Sequence, residues 1–101
     1  MLRHLVLLKF KPDTAPAAIT DITSAFHALR SAIDTVRALE SGTDVSPEGL
    51  ARGYTHAFLL TFDDPAGRDH YLPHPTHQAF VARLQPLLDD VLVLDYATDG
   101  G

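Results

Sequence analysis

Residues 2–11 alternate. Leu2, His4, Val6, Leu8 and Phe10 fall on one face and Arg3, Leu5, Leu7 and Lys9 on the other, the period-two pattern of a β-strand. Both faces are apolar in the middle. The period then changes. Ile19, Ile22, Phe26, Leu29 and Ile33 recur three and four residues apart, which makes one apolar stripe on a helix. Asp13 or Thr14 is placed to cap it, with Pro16 in the first turn. Thr35 to Val45 reads as a weaker strand broken by Gly42. Ser46 to Arg52 contains Pro47 and Gly49 and reads as a loop. Gly53 to Phe62 alternates again, with Tyr54, His56, Phe58, Leu60 and Phe62 on the even face.

Asp64-Pro65 is a cap followed by proline at the first helical position, and the short helix it opens is predicted to run to about Leu72. Pro73 and Pro75 interrupt it, because each lacks a backbone donor and restricts the residue before it. A second helix starts near Pro75 with a stripe of His77, Phe80, Val81, Leu84 and Leu88, and Pro86 ends or kinks it. Val91 to Tyr96 is the last strand. Thr98 to Gly101 is a tail expected to fray.

The order β-α-β-β-α-β in one domain spanning residues 1–101 predicts an α+β fold, the ferredoxin-like sandwich. Strands one and three are expected side by side and parallel at the centre, with helices over one face. The other face then carries Leu5, Leu7, Ala57 and Leu59, an apolar patch that water does not tolerate well. A second sheet is the simplest cover. For one domain this implies a two-fold homodimer.

Composition narrows the partners. Hydrophobic residues make up 46% of the chain, as in globular proteins, and the net charge is −5. The eight Lys and Arg residues form no run, which argues against nucleic acid and anionic membranes. There is no cysteine, so disulfides and thiolate metal sites are excluded. The apolar start is too short and too soon charged for a signal peptide or membrane helix. A cytoplasmic protein is the expectation.

The candidate chemistry lies in the histidines, six in all. With parallel neighbouring strands, His4 and His56 would lie side by side between sheet and helices. His77 sits on the apolar stripe of the last helix, His74 stands at the proline break, and Tyr71 lies one turn earlier. Together they would line a pocket that an interrupted helix leaves open. Each also has a structural reading. A buried histidine is ordinarily a satisfied core residue, His74 is placed to cap the following helix, and Tyr71 to serve as a core aromatic. His27 and His70 read as solvent-facing. Proton transfer without a cofactor would use this set: an imidazole takes and returns a proton, and a phenol steadies an enolate. A metal is not expected, because Pro75 spoils the His74-x-x-His77 spacing and no carboxylate or Cys matches it.

Several of these residues together resemble a known family. The strand from His4 to Phe10, Gly53-Tyr54-Thr55-His56, Phe62, Tyr71-x-x-His74-Pro75-x-His77 and Asp95-Tyr96 stand in the order and at the intervals of the stress-responsive dimeric α/β-barrel family, the Dabb domain. The resemblance covers about residues 2–97. It implies a ferredoxin-like subunit and a dimer whose two sheets form a barrel. Cofactor-free polyketide cyclases of that family perform an aldol condensation. Their catalytic His and Tyr resemble His77 and Tyr71, and their pocket histidines resemble His4 and His56. A pocket Tyr on their first helix corresponds to Phe26 here, so one hydroxyl is gone. Two readings stay open: an acid–base enzyme acting on a polyketide-like or β-dicarbonyl compound, and a non-enzymatic stress-responsive dimer or small-molecule-binding module. Monooxygenase chemistry rests on analogy with other dimeric barrels alone.

Overall fold

The computed structural model describes residues 1–98, so most of the tail expected to fray lies outside the described residues. The elements are β1 (Leu2–Phe10), α1 (Pro16–Ala32), β2 (Ala38–Thr43), β3 (His56–Phe62), α2 (Pro65–Tyr71), α3 (Pro75–Leu84), a 3-10 turn (Gln85–Leu87) and β4 (Leu88–Ala97). The fold is the expected α+β, ferredoxin-like one. One sheet runs in the order β2-β3-β1-β4.

Every neighbouring pair in that sheet is antiparallel. β1 and β3 are adjacent as expected, but their predicted parallel direction is wrong. The register pairs Leu2 with Phe62 and Leu8 with His56. The reason is topological. The crossover through α1 returns β2 parallel to β1 with a gap one strand wide. β3 then hairpins from β2 into that gap and must run against both.

The alternation in β1 works as its pattern predicts. Leu2, His4, Val6 and Leu8 are buried against the helices, together with Phe58, Leu60 and Phe62 of β3. Ile22, Phe26 and Leu29 of α1 and Phe80 and Leu84 of α3 meet them. Each such apolar side chain contributes about 1.5–3 kcal/mol by leaving water.

Three boundaries shift. α1 has Ala15 as its N-cap with no side-chain bond, since the Thr14 hydroxyl instead donates to the Lys11 carbonyl at 2.7 Å. β3 begins at His56 because Arg52 and Gly53 adopt left-handed backbone, φ 59° and 86°. A side chain at Gly53 would also strike Lys9, its Cβ only 2.7 Å from Lys9 Cε. β4 begins at Leu88, three residues early, because its ladder with β1 extends to Phe10.

The face away from the helices is apolar and open. Leu92, Leu94 and Tyr96 of β4 are 48%, 62% and 46% exposed. They pair with Leu7, Leu5 and Arg3 across the ladder and so share one surface. No helix among the described residues is long and apolar enough to cross a membrane.

Candidate active site

The site begins at the helix break. Asp64 caps α2, its carboxylate accepting from the Gly67 N–H at 3.0 Å. Tyr71 ends α2. Beyond it Pro73 and Pro75 offer no N–H, and the Thr76 N–H is taken by His74 Nδ1 at 3.1 Å. The Leu72 carbonyl therefore lacks its helical partner, and side chains fill the role. His77 Nδ1 lies 2.8 Å from it and Gln78 Nε2 donates to it at 2.8 Å. A carbonyl only accepts, so His77 must carry its proton on Nδ1. Nε2 of the neutral ring is then a bare lone pair.

His77 packs on Tyr71 with ring centres 4.2 Å apart. Burial is the main force holding its pKa below the ordinary imidazole value. Positive charge on His4 or His74 pushes the same way, and the Leu72 carbonyl opposes it. His77 is thus a neutral base near neutrality. Tyr71 is buried, its ring 5.3 Å from Phe62 and 6.1 Å from His4. Desolvation raises the phenol pKa, so it stays a hydrogen-bond donor. Its hydroxyl has no protein partner among the described residues.

His4 is backed by acid. It pairs with Asp95 in the β1–β4 ladder, and the two side chains leave the sheet on the same side. His4 Nδ1 lies 2.6 Å from Asp95 Oδ1, and Arg68 Nη1 donates to Asp95 Oδ2 at 3.0 Å. The carboxylate thereby fixes Nδ1 of His4 as the donor.

These groups surround one cavity of about 500 Å³. Its polar lining is His4, Arg68, Asp69, Tyr71, His77, Gln85 and Asp95. Phe26 stacks on Phe58 at 4.2 Å and meets Phe80 at 4.7 Å, which makes that side aromatic. Val6, Leu84 and Leu88 add apolar lining, as do Val91 and Val93, which are 42% and 57% exposed at the open side. The volume falls within the range of small-molecule sites.

Two predicted site residues lie elsewhere. The expectation that His56 sits beside His4 fails with the strand direction. His56 pairs with Leu8, four residues along β1 from His4, or about 13 Å at strand rise. Its ring packs on Phe10 at 5.1 Å, and it borders other hollows. His74 is the N-cap of α3, meets His70 edge-on with ring centres 5.7 Å apart and does not line the cavity. The sequence pattern assigns no role to four polar lining residues, Arg68, Asp69, Gln85 and Asp95. The signal for Asp95 was a charge on an otherwise apolar inward face of β4, after Val91 and Val93. Arg68 carried no comparable signal. Among the described residues no three His, Cys, Asp or Glu side chains gather as a metal would require.

The family model described as the Stress responsive A/B Barrel Domain, Dabb, matches residues 2–98. The chain belongs to the Dabb family. Its relatives include the stress-response A/B barrel domain-containing protein HS1 of Arabidopsis thaliana, 36% identical over 93% of this chain and 86% of that one. They also include olivetolic acid cyclase of Cannabis sativa, 28% identical over 93% of each. Among solved structures, the A. thaliana protein At3g17210 superposes with a TM-score of 0.94 at 34% identity, covering 100% of this chain and 98% of that one. Hydroxynitrile lyase of Passiflora edulis gives 0.91 at 25% identity, covering 99% and 94%. A Jannaschia protein described as dimeric and ferredoxin-like gives 0.84 at 29% identity, covering 96% and 98%. The open sheet face of this Dabb subunit suits such a dimer.

Proposed function

We propose that this Dabb protein is a cofactor-free acid–base catalyst acting on a small β-dicarbonyl or polyketide-like compound. The observation that carries the reading is the His77–Tyr71 pair. His77 Nε2 is left as a base by the Nδ1–H bond to Leu72, and a protonated phenol stands against the same ring. In the proposed step the α-carbon loses its proton to His77 Nε2, and the C–H electron pair becomes the enolate. Tyr71 donates a hydrogen bond to the carbonyl oxygen where charge gathers. The enolate then adds to a second carbonyl, as in an aldol closure, or regains a proton elsewhere, as in an isomerisation. Similarity to one protein named a cyclase and another named a lyase supports a catalytic cavity. Phe26, with Phe58 and Phe80, favours a substrate bearing an apolar or aromatic part.

His56 and His74 have no part in this step, for the distances and bonds above. The mostly apolar wall favours a second reading, a binding module that retains a ligand without turning it over. Deuterium exchange separates the two. The α-proton of ethyl α-methylacetoacetate is followed by NMR in deuterium oxide against buffer. The protein should accelerate exchange, and His77→Ala should remove about a hundredfold or more of that acceleration. Equal rates for the variant and the parent would sink the assignment of His77. Binding of the ester with exchange at the buffer rate would favour the binding module.

A further inference from the structure

Arg68 lies three residues before Tyr71 on α2, so both side chains leave the same side of that helix. The guanidinium is held at two points. Nε donates to Asp69 Oδ1 at 3.0 Å and Nη1 to Asp95 Oδ2 at 3.0 Å. Asp69 is largely exposed, whereas Asp95 and Arg68 are about three-quarters covered. The other oxygen of Asp95 meets His4 Nδ1 at 2.6 Å. The row Arg68–Asp95–His4 thus runs from the rim of the cavity into its interior, and every link is a charge-assisted bond.

We propose that Arg68 is a positioning residue that acts through Asp95 to hold His4 as a second proton-transfer group of the cavity. This rests on the acid–base reading above. The two histidines have opposite surroundings. His77 leans on a neutral carbonyl and a phenol ring, which suits a base. His4 leans on a carboxylate, which balances the charge of an imidazolium, and its Nε2 has no protein partner among the described residues. Without a second cation, the Asp95 carboxylate would be free to swing toward water. Arg68 fixes one oxygen, and the other stays on His4. In the proposed sequence His77 takes the α-proton, and His4 Nε2 then gives its own proton either to the carbon of the enolate, as with a simple β-keto ester, or to the alkoxide formed when the enolate closes on a second carbonyl. His77 and His4 finish with exchanged protonation states, and solvent resets them.

The test uses the full-length chain with isotope-labelled histidine and the variants Arg68→Met and Arg68→Lys. Long-range proton–nitrogen NMR reads the protonation pattern of each ring. Arg68→Met should change the His4 pattern and leave that of His77 in place. Return of the α-proton to ethyl α-methylacetoacetate should slow roughly tenfold, the size typical when a supporting residue is lost. KM should stay near its parent value, and Arg68→Lys should restore most of both signals. An unchanged His4 pattern in folded Arg68→Met, or a rate within twofold of the parent, overturns the proposal. If the parent protein exchanges no faster than buffer, the acid–base reading fails instead, and the NMR arm still decides whether Arg68 holds His4.

Discussion

Replacing Tyr71 by Phe removes one oxygen and separates two properties that usually move together. The ring is 1% exposed and packs among Phe62, His4 and His77, contacts that Phe keeps. The hydroxyl has no protein partner among the described residues, so no internal hydrogen bond is lost. The stability change should therefore stay within about 0.5 kcal/mol. For a chain of this size that is a shift of roughly 2–4 °C in Tm. Catalysis should respond very differently. If the phenol stabilises the developing enolate, its loss costs about 2.7 kcal/mol of transition-state stabilisation, or roughly a hundredfold in rate. Tyr71→Ala provides the contrast, because emptying the ring's site should cost about 3–5 kcal/mol and confound any rate. Thermal unfolding and α-proton exchange on the same preparations give the answer. An exchange rate within threefold of the parent would refute the donor role of Tyr71. A loss of more than about 2 kcal/mol would mean that the hydroxyl has a structural partner after all.

Burial lowers the pKa of His77, so the acid limb of the exchange rate should lie below the usual imidazole value of about 6.5, and His77→Ala should abolish that limb. The same shift bears on stability. In the unfolded chain His77 takes up its proton near the usual value, and in the folded chain only at lower pH. Its contribution is therefore fully present above about 6.5 and is lost as pH falls toward the folded pKa; denaturant midpoints across that window should show it, with His56, also lowered by burial, adding in the same direction. Leu94→Asp places a charge in the open sheet face and should shift the protein from dimer to monomer in light scattering. A dimer that persists would show that the partner sits elsewhere.

The broken helix was legible because its signals are local. Asp64-Pro65 marks a start, and Pro73 and Pro75 remove two donors within three residues. The same break explains the carbonyl that orients His77. Strand direction has no such local signature. Alternation tells which side of β1 and β3 faces the helices, and it holds from Leu2 to Leu8 and from Phe58 to Leu60, while Thr61 is buried on the opposite side. It is the same read from either end. Which way β3 runs depends on the hairpin from β2, and that alone sends His56 to the far end from His4. Arg68 was hidden for another reason. On a seven-residue helix it looks like an ordinary solvated cation, and only the fold brings it to Asp95, 27 residues away.

That same β4 strand shows how a small chain carries a cavity and a partner surface without either compromising the other. Val91, Val93 and Asp95 wall the cavity, while Leu92, Leu94 and Tyr96 project from the opposite side. A period of two assigns alternate residues to the two sides at no cost in length. Yet β4 is an edge strand and is hydrogen-bonded to β1 alone. A partner sheet packed on its outer face would restrain the strand from which Asp95 reaches His4. Loosening that face should therefore be felt first in the Asp95–His4 pair, whereas His77, anchored through Leu72 within the helical layer, has its geometry fixed independently of β4.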